Sequence, residues 1–160
     1  MTHSKLIALL LALTALAMGS CQSVRAGGNS ADVDFSMVMN MDWILSELKT
    51  DSGTVVLNRE KHVEQGFGNI FTLRFEDELA IGKAMPNTFR GPYTLGDEDR
   101  AITFGPMATT RMLALTQPEE LSEDDFFAYM NNVVGWNLVG GNLELYTSTD
   151  GALIFVPLDN

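Results

Sequence analysis

Cys21 is the only cysteine in the 160-residue chain, so no internal disulfide forms and the fold must be held by packing. Histidine is nearly as scarce: His3 and His62 are the two present, too few for a His-rich zinc site. Positive charge is also short, with 10 Lys and Arg against 21 Asp and Glu and a formal charge of −11. Such a chain repels phosphate backbones and carries no basic stripe, which excludes nucleic acid as a partner. It has no run of Lys and Arg to dock on anionic lipid by charge. There is no G-x-S-x-G elbow for a nucleophilic serine, no acidic spacing of a calcium loop and no internal repeat. The acidity itself reads as solubility.

The longest apolar run, Leu6 to Met18 (LIALLLALTALAM), follows a short start containing Lys5. As a helix its 13 residues reach about 20 Å, against a hydrocarbon core of about 30 Å. That is too short for a permanent span and suits the core of a signal peptide. Two cleavage readings compete. Ala15-Leu16-Ala17 and Ala17-Met18-Gly19 are small-x-small sites of ordinary secretion, whereas Met18-Gly19-Ser20-Cys21 resembles the bacterial lipobox. Met18 stands where the lipobox usually has leucine, and it is similar in size and apolarity. Ordinary secretion would leave an unpaired thiol in an oxidising compartment, while the lipobox uses it.

The preferred expectation is therefore a lipoprotein signal peptide over residues 1–20 and lipidation of Cys21. Removing the signal peptide takes away Lys5 alone among charged residues and leaves a charge of −12. One acyl chain anchors marginally, and the several chains of a bacterial lipoprotein (a palmitate among them) hold it on the membrane. Gln22 follows the cysteine where some bacteria place an aspartate to retain lipoproteins in the inner membrane. By that analogy the chain belongs on the periplasmic face of the outer membrane.

Residues 21–40 centre on Gly27-Gly28-Asn29-Ser30 and have almost no apolar face, which predicts a flexible tether of roughly 25 Å mean reach. The domain is then expected over residues 41–160. Met37, Met39, Met41, Trp43 and Leu45 alternate with other residues, a strand signal. NIFTLRFE sets Phe71, Leu73 and Phe75 opposite Thr72, Arg74 and Glu76. ELAIGKAM, PYTL, RAITF and MATTRMLAL read as further strands, and STDG as a hairpin turn between LELYT and ALIFV. PEELSEDDFFAYMNNVV instead repeats at helical spacing through Phe126, Phe127, Met130, Val133 and Val134. Ser122 and Asp125 form its capping box, with Thr116 and Glu119 as an earlier alternative, and Gly135 as its stop. The expected fold is mainly β (α+β): a small curled antiparallel sheet or cracked β-barrel with one packed amphipathic helix, curling being one way to remove exposed edges.

The order of these features resembles the META/HslJ-like domain family. Trp43-Ile44-Leu45 is similar to its opening W-x-L strand. Gly82, Asn87, Gly91 and Tyr93 in IGKAMPNTFRGPY are similar to its G-x-x-x-C-N-x-x-x-G-x-Y stretch. Gly105, Thr110, Arg111 and Met112 in TFGPMATTRMLAL are similar to its G-x-x-x-T-x-M-x-C stretch. Pro86 and Ala114 stand where the family often has cysteines, so no redox role carries over. The resemblance spans Trp43 to Val156 and implies a small β-rich domain of bacterial envelope proteins linked to heat shock, antibiotic tolerance and virulence. It implies no settled enzymatic activity.

Structural roles account for the motif residues: tight sheet positions for Gly82 and Gly91, a turn tied by Asn87 to its own backbone, and Tyr93 at a rim. His62 reads as a solvated loop residue. Asp97, Glu98 and Asp99 read as a hairpin turn, and Glu123 to Asp125 as a helix start. Met37, Met39 and Met41 would project to one side of a strand, a soft sulfur set that could take Cu(I) but more simply continues the apolar face. No catalytic residue, metal ligand or cofactor site is expected. The leading expectation is a membrane-anchored, non-catalytic binding or stress-response module with an envelope protein partner. The alternative is a lipocalin-like carrier of an apolar ligand or lipid held between sheet and helix.

Overall fold

The structure, a computed structural model, describes residues 34–158. Cys21 and the signal-peptide region lie outside the described residues. Among the described residues, ten strands and two α-helices follow one another. They are β1 (Trp43–Thr50), β2 (Gly53–Val56), α1 (Arg59–Glu64), β3 (Thr72–Glu76), β4 (Leu79–Lys83), β5 (Thr88–Leu95), β6 (Ile102–Phe104), β7 (Ala108–Thr109), α2 (Glu123–Asn131), β8 (Val133–Val139), β9 (Asn142–Thr147) and β10 (Ala152–Pro157).

All named strand pairs are antiparallel, in the order β6-β5-β4-β3-β1-β10-β9-β8, with β2 beside β1 and β7 beside β5. The two ends of that order meet. Ala101 bridges Gly135, and the Trp136 N–H donates to the Arg100 carbonyl at 2.9 Å. The sheet is thus a nearly closed barrel, as expected from the many short strands. It splits at β1, whose first residues pair with β3 and whose last four pair with β2. The register against β10 shifts between Leu45 and Glu47, a bulge that lets one strand serve two partners.

Alternation explains the core. Leu73, Phe75, Ala80, Phe89, Leu143, Leu145, Leu153 and Phe155 are buried, while Thr72, Arg74, Ile81 and Arg90 take the outer face, one residue out of phase. Helix α2 starts as its sequence predicts: Ser122 Oγ accepts from the Asp125 N–H at 3.1 Å and donates to Asp125 Oδ2 at 2.6 Å. It ends earlier than expected. Asn132 closes it by donating its side-chain amide to the Ala128 carbonyl at 2.8 Å, and Val133 and Val134 open β8. Gly135 is therefore a strand residue, and the Thr116–Glu119 alternative forms no helix.

Phe126 and Met130 are fully buried. The Phe126 ring lies 5.2 Å from Phe71, 5.9 Å from Phe89 and 5.5 Å from Phe127. These rings pack between helix and sheet, where the alternative reading placed a carried apolar ligand.

The expected boundary at residue 40 moves. Phe35–Met37 form a 3-10 turn whose Phe35 packs 5.1 Å from Phe75 and 4.9 Å from Trp136. Val38 is buried, and its carbonyl accepts from Trp43 Nε1 at 2.9 Å. Residues 34–40 are folded against the barrel rather than serving as tether.

Candidate functional site

The two family-like motif stretches meet at Asn87, a residue only 6% exposed. Its Oδ1 accepts from Thr110 Oγ1 at 2.9 Å and from the Met112 N–H at 2.7 Å. Its Nδ2 donates to Glu123 Oε2 at 2.7 Å and, more weakly, to the Met112 carbonyl at 3.3 Å. Its backbone N–H donates to Glu123 Oε1 at 3.1 Å. The expectation that Asn87 ties its own turn is therefore corrected. It clamps the segment after β7 and the first residue of α2 onto the start of β5. Glu123 likewise does more than favour a helix N-terminus: its carboxylate is the amide's ionic partner.

The motif glycines create the close approaches around this clamp. A Cβ on Gly82 would stand 2.1 Å from the Thr72 carbonyl oxygen and 2.5 Å from the Phe89 ring. One on Gly91 would meet Met107 Sδ at 2.6 Å and the Pro106 oxygen at 2.9 Å. Tyr93 packs 5.1 Å from Phe75 and donates its hydroxyl to the Glu76 carbonyl at 3.2 Å, the rim position expected of it.

Beside the clamp, the outer face of β3, β4, β5 and β7 forms an open groove of about 620 Å³. Its rows follow from register. Arg74, Ile81, Arg90 and Ala108 stand abreast, and Thr72, Lys83 and Thr88 form the next row. Arg74 and Arg90 are two strands apart, about 10 Å, with Ile81 as an apolar floor between them. Arg74 is neutralised by Asp42 at 3.3 Å and Glu76 at 3.6 Å. Arg90 is exposed and, among the described residues, forms no ion pair. Thr88, Thr109 and Thr110 add hydroxyls to the same wall.

Elsewhere the structure redistributes the candidates. His62 is not a solvated loop residue. It lies on α1, fully buried, with Nε2 3.3 Å from Glu120 Oε2 and no hydrogen-bond partner at Nδ1 among the described residues. The sequence missed this because NREKHVE has one buried position in six helical residues, too short for a visible stripe. Arg59, one turn earlier, donates to the Ile70 carbonyl at 3.0 Å; burial lowers its pKa to about 10, so it stays charged at neutral pH. Partial burial pushes the Glu120 carboxyl up, but its backbone hydrogen bond, the bond to His62 and the charge of Lys61 outweigh this and hold it below the ordinary carboxylate range.

The methionines do not form a strand face. Met37 ends the 3-10 turn and is 53% exposed, Met39 packs partly on the core, and Met41 precedes β1 at 38% exposure. Asp97 to Asp99 sit in the β5–β6 turn, closed by the Gly96 N–H donating to the Ala101 carbonyl at 3.0 Å. Among the described residues, no three His, Cys, Asp or Glu side chains gather as a metal site.

A ten-stranded, nearly closed antiparallel barrel with one packed helix, its two family-like motif stretches joined through Asn87, Thr110 and Met112, defines the class of this protein. The META domain family matches residues 36–160, and the chain belongs to it. No curated protein matches the chain. Among solved structures, an NMR structure of a protein from Burkholderia xenovorans is 22% identical with a TM-score of 0.61, covering 78% of this chain and 86% of that one. A crystal structure of a DUF4847 family protein from Bacteroides vulgatus is 14% identical with a TM-score of 0.52, covering 76% and 95%. Another NMR structure is 18% identical with a TM-score of 0.53, covering 78% and 94%. At these identities the likeness concerns the fold.

Proposed function

We propose that this META-domain protein is a membrane-anchored bacterial lipoprotein and acts as a non-catalytic binding module of the envelope stress response. Signal-peptide removal leaves acylated Cys21 at the N-terminus. The folded domain stands on the periplasmic face of the outer membrane and engages an envelope partner through the groove beside Asn87. One observation carries the reading: Asn87, Thr110 and Met112 of the two motif stretches meet in one clamp, and Gly82 and Thr110 line the groove beside it. The groove's own carboxylates, Asp42 and Glu76, are engaged by Arg74, which leaves Arg90 as the free charge among the residues that line it. The complementary ligand is a partner presenting an anionic group over an apolar contact to Ile81. The buried seat of His62 and its contact with Glu120 support a structural role for the lone histidine of the domain.

Two measurements test the parts separately. Intact-mass analysis of the protein purified from envelopes should show loss of residues 1–20 and acyl chains on Cys21; an unmodified N-terminus removes the anchor. In-envelope crosslinking from a photoreactive residue at Thr109 should capture a defined partner in the wild type and lose it in Arg90→Glu. Equal capture by both removes the groove.

A further inference from the structure

The sequence offers no run of basic residues, yet the fold assembles three of them around an apolar strap. After β7 the chain departs from the strand predicted for MATTRMLAL. Thr110 still exchanges hydrogen bonds with Thr88, at 3.1 and 3.2 Å, and Asn87 holds both backbone groups of Met112. At the far end Pro118 and Leu121 are buried, and Glu119 is tied to Lys61 at 2.7 Å. Between these fixed points Met112 is 61%, Leu113 94% and Leu115 99% exposed. Two leucines standing almost wholly in water on a strap tied at both ends form a protruding apolar edge, the kind of surface that marks an interaction site.

Its surroundings identify the occupant. Arg111 belongs to the strap, Arg90 pairs with Ala108 at its root, and Lys83 pairs with Thr88 beside Thr110. Among the described residues none of the three makes an ion pair. The carboxylates at the strap's two ends and in the groove are engaged: Glu123 by Asn87, Glu119 by Lys61, and Asp42 and Glu76 by Arg74. In a chain with 21 acidic residues, unpaired cations beside exposed leucines match a phospholipid interface, with apolar tips in the acyl boundary and cations at the headgroup phosphates. We propose that the strap over Arg111–Leu115 dips into an anionic bilayer and, resting on the lipoprotein reading above, sets the domain's orientation on the membrane that the acyl chains hold it to. Tether and strap then fix the domain at two points.

The test uses the full acylated chain in vesicles of equal parts phosphatidylethanolamine and phosphatidylglycerol. Leu113→Cys and, as a control on β2, Val56→Cys carry an environment-sensitive fluorophore. The parent chain labelled in parallel reports any dye on Cys21. Nitroxide lipids should quench the label at 113 several-fold more than that at 56, and Lys83→Glu with Arg111→Glu should reduce this difference at low salt. Equal quenching at both positions overturns the strap proposal while vesicle flotation leaves the anchor standing. If the chain fails to float, the anchor falls, and quenching at 113 with excess vesicles still decides the strap. Burial of the 113 label without vesicles, growing with protein concentration, assigns the strap to a second copy and also overturns the proposal. Leu113→Asp with Leu115→Asp should abolish vesicle protection of the strap from proteolysis with an unchanged urea midpoint, because neither leucine is packed.

Discussion

Replacing Asn87 separates a clamp from a simple turn residue. Asn87→Ala removes four side-chain hydrogen bonds, one of them to the carboxylate of Glu123. Neutral bonds contribute about 0.5–1.5 kcal/mol net and bonds to a charged group about 1.5–3. Thr110, Met112 and Glu123 are near enough to the surface for water to restore part of this. The expected loss is therefore about 2–3 kcal/mol, or about 10 °C in Tm for a domain of this size. Asn87→Asp keeps the acceptor for Met112 and Thr110 but sets a second carboxylate where Nδ2 now lies 2.7 Å from Glu123 Oε2. At neutral pH it should cost about 1–2 kcal/mol more than the alanine variant, a screened like-charge repulsion.

The two variants differ in pH dependence. The folded state raises the pKa of the new carboxyl above its unfolded value. The penalty is thus present above the folded pKa and vanishes below the unfolded one, so the aspartate variant gains on the alanine variant as pH falls toward about 4. Urea unfolding, followed by the emission of Trp43 and Trp136, both buried, measures these differences. An aspartate variant as stable as the parent at pH 7, or an alanine variant within about 0.5 kcal/mol of it, would refute the clamp.

Other perturbations read different parts of the fold. Gly82→Ala must move either the Thr72 backbone or the Phe89 ring, and thermal unfolding should show a loss of about 3 kcal/mol, the upper end of overpacking costs. Glu120→Gln tests the His62 contact. The Glu120 carboxyl is held below its ordinary value of 4.5, so its stabilisation is present above that value and lost as pH falls through the lower folded one. Acid titration of stability should therefore be shallower in Glu120→Gln than in the parent, and identical titrations would dismiss the interaction.

The parts of the fold legible in the sequence were those written in local pattern. β3 and β9 appear where apolar and polar residues alternate, β4 and β10 as short apolar runs, and the Asp150-Gly151 turn sits between LELYT and ALIFV, with Asp150 at a φ of 57°. The Ser122 cap was readable because capping is a contact between near neighbours. β8 was not, since Val133 and Val134 continue the helical spacing of Phe126 and Met130. What ends the helix is pairing with β9 from Val133 onward, a partner at a distance. The methionine alternation failed for the same reason in reverse. Phe35 and Val38 are drawn into the barrel interior, and that burial curls the chain into a 3-10 turn where the local pattern alone favoured a strand.

The site was legible only as separate pieces. Asn87, Thr110 and Glu123 each carry a sufficient local explanation: a turn, a strand hydroxyl and a helix N-terminus. Their distances in sequence, 23 residues to Thr110 and 36 to Glu123, give periodicity nothing to detect. The charge pattern was hidden likewise. Lys83 and Arg90 share one face because β4 and β5 pair in register, and Arg111 follows where the chain leaves β7, which pairs with β5 beside Arg90. An acidic composition described the whole surface correctly and this face incorrectly. A sheet samples the sequence at intervals fixed by strand register, so a cluster can form on it that no window along the chain contains. The same argument gives the strap its meaning. The pattern of MATTRMLAL reads as a strand throughout, whereas pairing stops at Thr109, Asn87 takes both backbone groups of Met112, and Leu113 and Leu115 stand exposed.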